Sequence, residues 1–105
     1  MKTNKILALR VALLIASKAA TDKSNVEDDG TCNLDTPCLV LPGWTKQEIE
    51  EAFQLTGLYP NIYNNCVHIG GVVEGCGFKR TAMAEAFRDS LKQSGYNSYV
   101  YYKID

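Results

Sequence analysis

Two alternating segments flank one helical segment in the C-terminal half of the chain, and this order limits the possible folds. Apolar side chains recur at every second residue in 62–73 and again in 96–104, whereas in 79–94 they recur at helical spacing. A strand presents successive side chains to opposite faces, so each alternating segment buries one face. In the first segment this predicts Tyr63, Val67 and Ile69 together on the buried face, with Cys66 and His68 on the other. A strand, a helix and a strand in this order form a right-handed crossover. We therefore expect a small sheet that is covered by helices on one face.

The clearest local helix signal lies upstream, at residues 45–48. Thr45 and Glu48 have the spacing of a capping box, and Trp44 and Ile49 are placed as the matching hydrophobic staple. Gly57 is placed for the turn that ends this helix. A short apolar strand at 38–41 precedes this helix. Residues 58–61, which include a proline, are expected to interrupt regular secondary structure.

These elements predict an α+β single domain: a small two-layer sandwich, with a short sheet of about three strands and helices on one face. Its core is expected at 38–105. The strand, helix and strand at the C-terminal end are similar to one half of a ferredoxin-like domain, or to small peptidoglycan-binding repeat domains. That likeness implies a fold and carries no activity.

The first twenty residues have two interpretations. They contain cations but no acids, and an apolar stretch runs from 6 to 16. Thr3, Arg10 and Ser17 recur every seven residues, which would make one polar stripe on an otherwise apolar core helix. A basic start followed by an apolar stretch also suits a signal peptide ending near residue 19. We expect a retained helix in a cytoplasmic protein, with a secreted or periplasmic protein as the alternative. The stretch is too short for a transmembrane span.

The charge and cysteine content of the chain limit the kinds of partner and compartment to expect. The 105 residues carry a net charge of −1, so no general attraction to nucleic acid is expected. Residues 21–37 form an acidic loop. The even count of four cysteines would suit disulfides only if the chain is exported.

Three candidate sites involve the residues around the cysteines and the only histidine. Cys66 and His68 fall on one face of a strand, as two ligands of a metal ion would. Cys76 precedes a helix that begins near Lys79 and Arg80, and these conditions lower a thiol pKa, with His68 as a possible base. The glycines around Cys76 could also hold an anion together with Lys79 and Arg80. The alternative is that these residues only form a strand, a turn and a helix start, and we expect no cofactor.

The last strand carries the predicted binding surface. Tyr99 and Tyr101, with Lys103, are expected on its less buried face, opposite the apolar set Val100, Tyr102 and Ile104. If this strand lies at a sheet edge, it offers backbone groups to another chain. We therefore expect a small non-enzymatic protein-binding domain, such as an inhibitor, an immunity-type protein or an adapter, that binds a protein or a second copy of itself. The alternatives are a thiol- or anion-dependent enzyme centred on Cys76, and a secreted disulfide-stapled protein.

Overall fold

The computed structural model describes residues 2–24, 35–72 and 77–102. These residues form an α+β domain in which three helices pack on one face of a four-stranded sheet. In chain order the elements are α1 (Lys2–Thr21), β1 (Thr36–Val40), α2 (Lys46–Phe53), β2 (Tyr59–Tyr63), β3 (Cys66–Gly70), α3 (Gly77–Gln93) and β4 (Asn97–Tyr101).

The sheet has the order β2-β3-β1-β4, and every neighbouring pair is antiparallel. The prediction of about three strands was wrong, because the alternating segment 62–73 is not one strand. Asn64 and Asn65 form a two-residue turn, with Asn64 at φ 58°, and the strands on either side form the hairpin of β2 and β3. Asparagine tolerates this left-handed conformation better than most residues do.

The turn moves Tyr63 to the face opposite the one expected. Tyr63 lies directly across from Cys66, so both point away from the helices. Val67 and Ile69 point towards the helices and are buried, as predicted. The two-residue turn shifts the alternation by one residue, so the pattern read from β3 assigns the wrong face to Tyr63 and the correct faces to β3 itself.

The predicted break at 58–61 was also wrong, since this stretch enters β2. Pro60 lies in the middle of that strand. Because β2 is an edge strand, the missing N–H of Pro60 costs the sheet no hydrogen bond when it points outward. Edge position explains why a proline is tolerated here.

The capping box of α2 is confirmed. Thr45 Oγ1 accepts a hydrogen bond from the Glu48 amide at 3.1 Å, and Glu48 Oε1 accepts one from the Thr45 amide at 2.9 Å. The second carboxylate oxygen of Glu48 lies 3.4 Å from Lys5 Nζ. The same ammonium lies 4.5 Å from the centre of the Trp44 ring, so the start of α2 is tied to α1.

Helix α1 packs along α3 and α2, and its buried side chains belong to the single hydrophobic core. Of the predicted polar stripe, Arg10 and Ser17 are half-buried. The Arg10 guanidinium donates a hydrogen bond to the Glu51 carbonyl oxygen at 2.7 Å. That carbonyl lies in the last turn of α2, where it also accepts a bond from the Gln54 amide at 3.2 Å and where the partial negative charge of the helix end attracts cations. The outward face instead carries four exposed apolar side chains, Leu7, Val11, Leu14 and Ile15.

In the described ranges, no helix combines the length and the apolar character that crossing a membrane requires.

Candidate functional site

The face of the sheet that points away from the helices is the main candidate site. We call it the open face. Alternation and register place these side chains on it: Thr36, Cys38 and Val40 of β1; Tyr59, Asn61 and Tyr63 of β2; Cys66 and His68 of β3; Asn97, Tyr99 and Tyr101 of β4. Within these strands the open face has no lysine, arginine, aspartate or glutamate. It is therefore a surface of aromatic, amide and thiol groups.

The tyrosines give the open face most of its exposed area. Tyr59, Tyr63 and Tyr101 expose 59%, 60% and 48% of their surfaces, and Tyr99 exposes 37%. Tyr99 and Tyr101 thus lie on the exposed face, as predicted, and Val100 between them is buried on the opposite face. Lys103, the third residue of that predicted surface, lies outside the described residues.

His68 lies between two of these tyrosines. Its ring centre is 4.9 Å from that of Tyr63 in an edge-to-face arrangement and 5.5 Å from that of Tyr101 in a tilted one. Aromatic pairs at this separation attract each other, which holds the side chains in place before any ligand arrives. The three rings form a strip from β2 to β4.

Tyr59 extends the aromatic surface over β3. A Cβ atom added to Gly70 would overlap the Tyr59 ring. Gly70, directly opposite Tyr59 in the register, therefore lets the ring lie flat against the strand backbone. This explains a glycine in the middle of the alternating segment.

Tyr99 is held by two cysteines. Burial raises the pKa of Tyr99 to about 12, and hydrogen bonds from its hydroxyl to the sulfurs of Cys66 and Cys38 add to the shift. Burial likewise raises the pKa of Cys38, against the opposing effect of the hydrogen bond from Tyr99. Both groups are therefore neutral at physiological pH, which agrees with an uncharged surface.

The proposed metal ligands Cys66 and His68 do share a face, and Cys38 lies directly across from His68. Nevertheless, within the described ranges no three or more histidine, cysteine, aspartate or glutamate side chains are placed to hold one ion. Cys38 and Cys66 carry free thiols. Cys76 lies outside the described residues, so its predicted pairing with His68 stays a prediction.

Arg80 makes contacts within the fold. Its Nε donates a hydrogen bond to the Asp35 carbonyl oxygen at 2.8 Å, and Thr81 Oγ1 donates one to Asp35 Oδ2 at 2.5 Å. Asp35 is buried, so these bonds fasten the first turns of α3 to the start of β1. Lys79 is half-buried on the same turn. The proposed role of Lys79 and Arg80 in binding stays a prediction.

The sequence pattern identified Tyr99 and Tyr101 but not the other two exposed tyrosines of the open face. It placed Tyr63 with the buried residues and left Tyr59 in a break. The signal that could have corrected both was the pair Asn64–Asn65, since two such residues between alternating segments favour a hairpin.

No family model, no curated protein and no solved structure matches this chain. The fold and the open face define a class by themselves: a small α+β domain that presents a neutral, tyrosine-lined sheet surface.

Proposed function

We propose that this protein is a small non-enzymatic binding domain whose open face docks onto another protein. The observation that carries the proposal is the exposure of four tyrosines on a sheet face whose described strands present no lysine, arginine, aspartate or glutamate. Protein interfaces are enriched in tyrosine and depleted of charge at their centres. Tyrosine also buries a large area while ordering few torsions, so it is often a residue that dominates the binding energy.

The fold proposed to carry this surface is more complete than a half domain. The order β1-α2-β2-β3-α3-β4 and the sheet order β2-β3-β1-β4 correspond to a whole ferredoxin-like unit, to which α1 is added. In this arrangement both helices of the unit lie on one face, and none of the described helices covers the other face.

The absence of cations on the described part of the open face favours a protein over a nucleic acid. Stacking of bases on aromatic rings is available to any such face, but affinity for single strands also needs lysine or arginine along the phosphates. His68 is the only basic side chain among the described open-face residues, and it is already packed between Tyr63 and Tyr101.

A thiol enzyme on this face has less support. The reactive form of cysteine is the thiolate. Because burial raises the pKa of Cys38, that form is disfavoured at neutral pH.

The test compares a face variant with a matched control. Tyr63→Ser with Tyr101→Ser removes two exposed rings from opposite sides of the open face. Leu14→Ser with Leu55→Ser removes two exposed apolar side chains elsewhere. Each protein, once its melting temperature shows that it is folded, is immobilised and exposed to an extract of the source cells. Bound proteins are quantified by mass spectrometry.

We expect a partner that the wild type and the control variant retain and the face variant loses, with affinity reduced at least about thirtyfold, as for residues that dominate an interface. If the face variant retains the same proteins as the wild type, the proposal is wrong. Fluorescence anisotropy with a labelled single-stranded RNA provides the competing outcome: binding that disappears only in the face variant would indicate a nucleic-acid surface instead.

A further inference from the structure

The direction of the backbone hydrogen bonds shows what the outer edge of β4 presents. In an antiparallel sheet, alternate residues of a strand direct their backbone groups to one neighbouring strand. The Leu41 amide donates to the Asn65 carbonyl oxygen at 2.8 Å, so Leu41 and Leu39 point their backbone groups towards β3. Cys38, the residue next to Leu39, therefore points its backbone groups towards β4, where it pairs with Tyr99. The backbone groups of Ser98 and Val100 consequently point away from the sheet.

The other edge of the sheet is less suited to such pairing. In a two-residue hairpin the residues flanking the turn form a hydrogen-bonded pair, here Tyr63 and Cys66. Alternation then turns the backbone of Pro60 outward. A proline at that position removes a donor from the edge, which is a common way to prevent strands from adding there.

Charge does not oppose the approach of a second copy to β4. The strand Asn97–Tyr101 has the sequence NSYVY, without a charged side chain. Natural edge strands that avoid association usually carry lysine or another charge. In the second half of α3, which packs against β4, two acids are balanced by two bases, Glu85 and Asp89 against Arg88 and Lys92. Two copies therefore bring no excess of like charge together.

We infer that β4 pairs with β4 of a second copy of this chain, antiparallel and centred on Tyr99. Only this register pairs all five residues of the strand. It sets Ser98 opposite the partner's Val100 and Val100 opposite the partner's Ser98, so the outward groups form four backbone hydrogen bonds, one per available donor. Tyr99 lies opposite its own copy.

The resulting dimer joins two four-stranded sheets into one of eight strands. Because the pleat continues across the pairing, the two open faces form one surface. The inference rests on the proposed function, in that the dimer doubles the surface that we propose as the docking site. This pairing also gives the outward backbone groups of β4 a partner, which no other described strand supplies.

The first experiment needs no substitution. Sedimentation equilibrium of the full chain, from low micromolar to millimolar concentration, measures the dimer directly. Amide hydrogen exchange over the same range locates it. We expect the Val100 amide to be protected at high concentration and to exchange quickly on dilution. The Tyr99 amide, which bonds to β1 within one chain, serves as the internal reference and should be protected throughout.

The second experiment tests the register with charge. Tyr99→Lys and Tyr99→Glu each place like charges opposite each other, and each should weaken the dimer roughly tenfold through the lost pair and the repulsion. An equimolar mixture of the two should restore association to near the wild-type level, since unlike charges then face each other. Tyr59→Lys, on the distant strand β2, is the matched control and should leave association unchanged.

A wild type that stays monomeric at millimolar concentration overturns the inference. So does association in which dilution leaves Val100 exchange unchanged, or in which the Lys and Glu variants fail to complement each other while remaining folded. None of these results alters the partner test with Tyr63 and Tyr101, so the dimer and the proposed function can fail separately.

Discussion

Two adjacent leucines on α1 should differ sharply in what they contribute to stability. Leu13 has no exposed surface, and Leu14 exposes 45%. Truncating a buried leucine to alanine removes about 2.4 kcal/mol of transfer free energy at roughly 0.8 kcal/mol per carbon, and the cavity left behind adds to this. We expect Leu13→Ala to lower the free energy of unfolding by about 3 to 4 kcal/mol.

For Leu14→Ala the expected loss is about 1 kcal/mol, because roughly half of the side chain stays in water and no closed cavity forms. Urea unfolding followed by far-ultraviolet circular dichroism measures both, and Trp44, the only tryptophan, provides a second probe by fluorescence. A small domain has a total stability of about 5 to 15 kcal/mol, so Leu13→Ala should visibly shift the midpoint. Equal effects of the two substitutions would refute the packing of α1 on the core, and so would the reverse order.

Three further changes test separate parts of the fold. Thr45→Ala should cost about 1 kcal/mol of unfolding free energy through the lost helix cap, while Thr45→Ser should retain most of it; thermal unfolding compares them. Leu55→Gly should stabilise by up to about 1 kcal/mol, because Leu55 has φ 68° and is 88% exposed, so relief of left-handed strain outweighs the entropy cost of glycine; an unchanged or lower melting temperature would contradict this. An ultraviolet titration should show Tyr99 ionising near its pKa of about 12. This pKa lies above the ordinary value near 10, so the stabilisation from neutral Tyr99 is complete below about pH 10 and is lost as the pH rises through about 12. Over that pH interval, the free energy of unfolding of the Tyr99→Phe variant should therefore fall less than that of the wild type.

Much of the secondary structure could be predicted because its causes are local. The capping box of α2 joins Thr45 and Glu48, three residues apart, so their side chains meet whenever the helix forms. The buried faces of β3 and β4 follow from alternation alone, which places Val67, Ile69 and Val100 on the helix side. For the same reason the exposure of Tyr99 and Tyr101 could be predicted, and with it part of the candidate site.

What the sequence pattern hid was the number of strands. The two-residue turn shifts the alternation by one residue, but the ring of Tyr63 stands where an uninterrupted strand would have an apolar residue, so the segment read as one strand and its first half received the wrong face. Pairing with a neighbour decides where a strand ends, and pairing is a property of the sheet. The aromatic strip on the open face exists only because this hairpin brings Tyr63 beside His68.

The orientation of α1 was likewise decided by tertiary contacts. From the sequence alone, Arg10 belonged to a narrow polar stripe on an apolar helix. In the structure its guanidinium reaches the carbonyl of Glu51, forty-one residues away in sequence, at the end of α2. A half-buried cation is stable there because the carbonyl oxygens at the C-terminal end of a helix carry partial negative charge, and the Glu51 oxygen accepts this bond in addition to the one from the Gln54 amide. Local pattern thus determined that residues 2–21 form an apolar helix, and only the packing of α1 against α2 and α3 determined which side of it meets water.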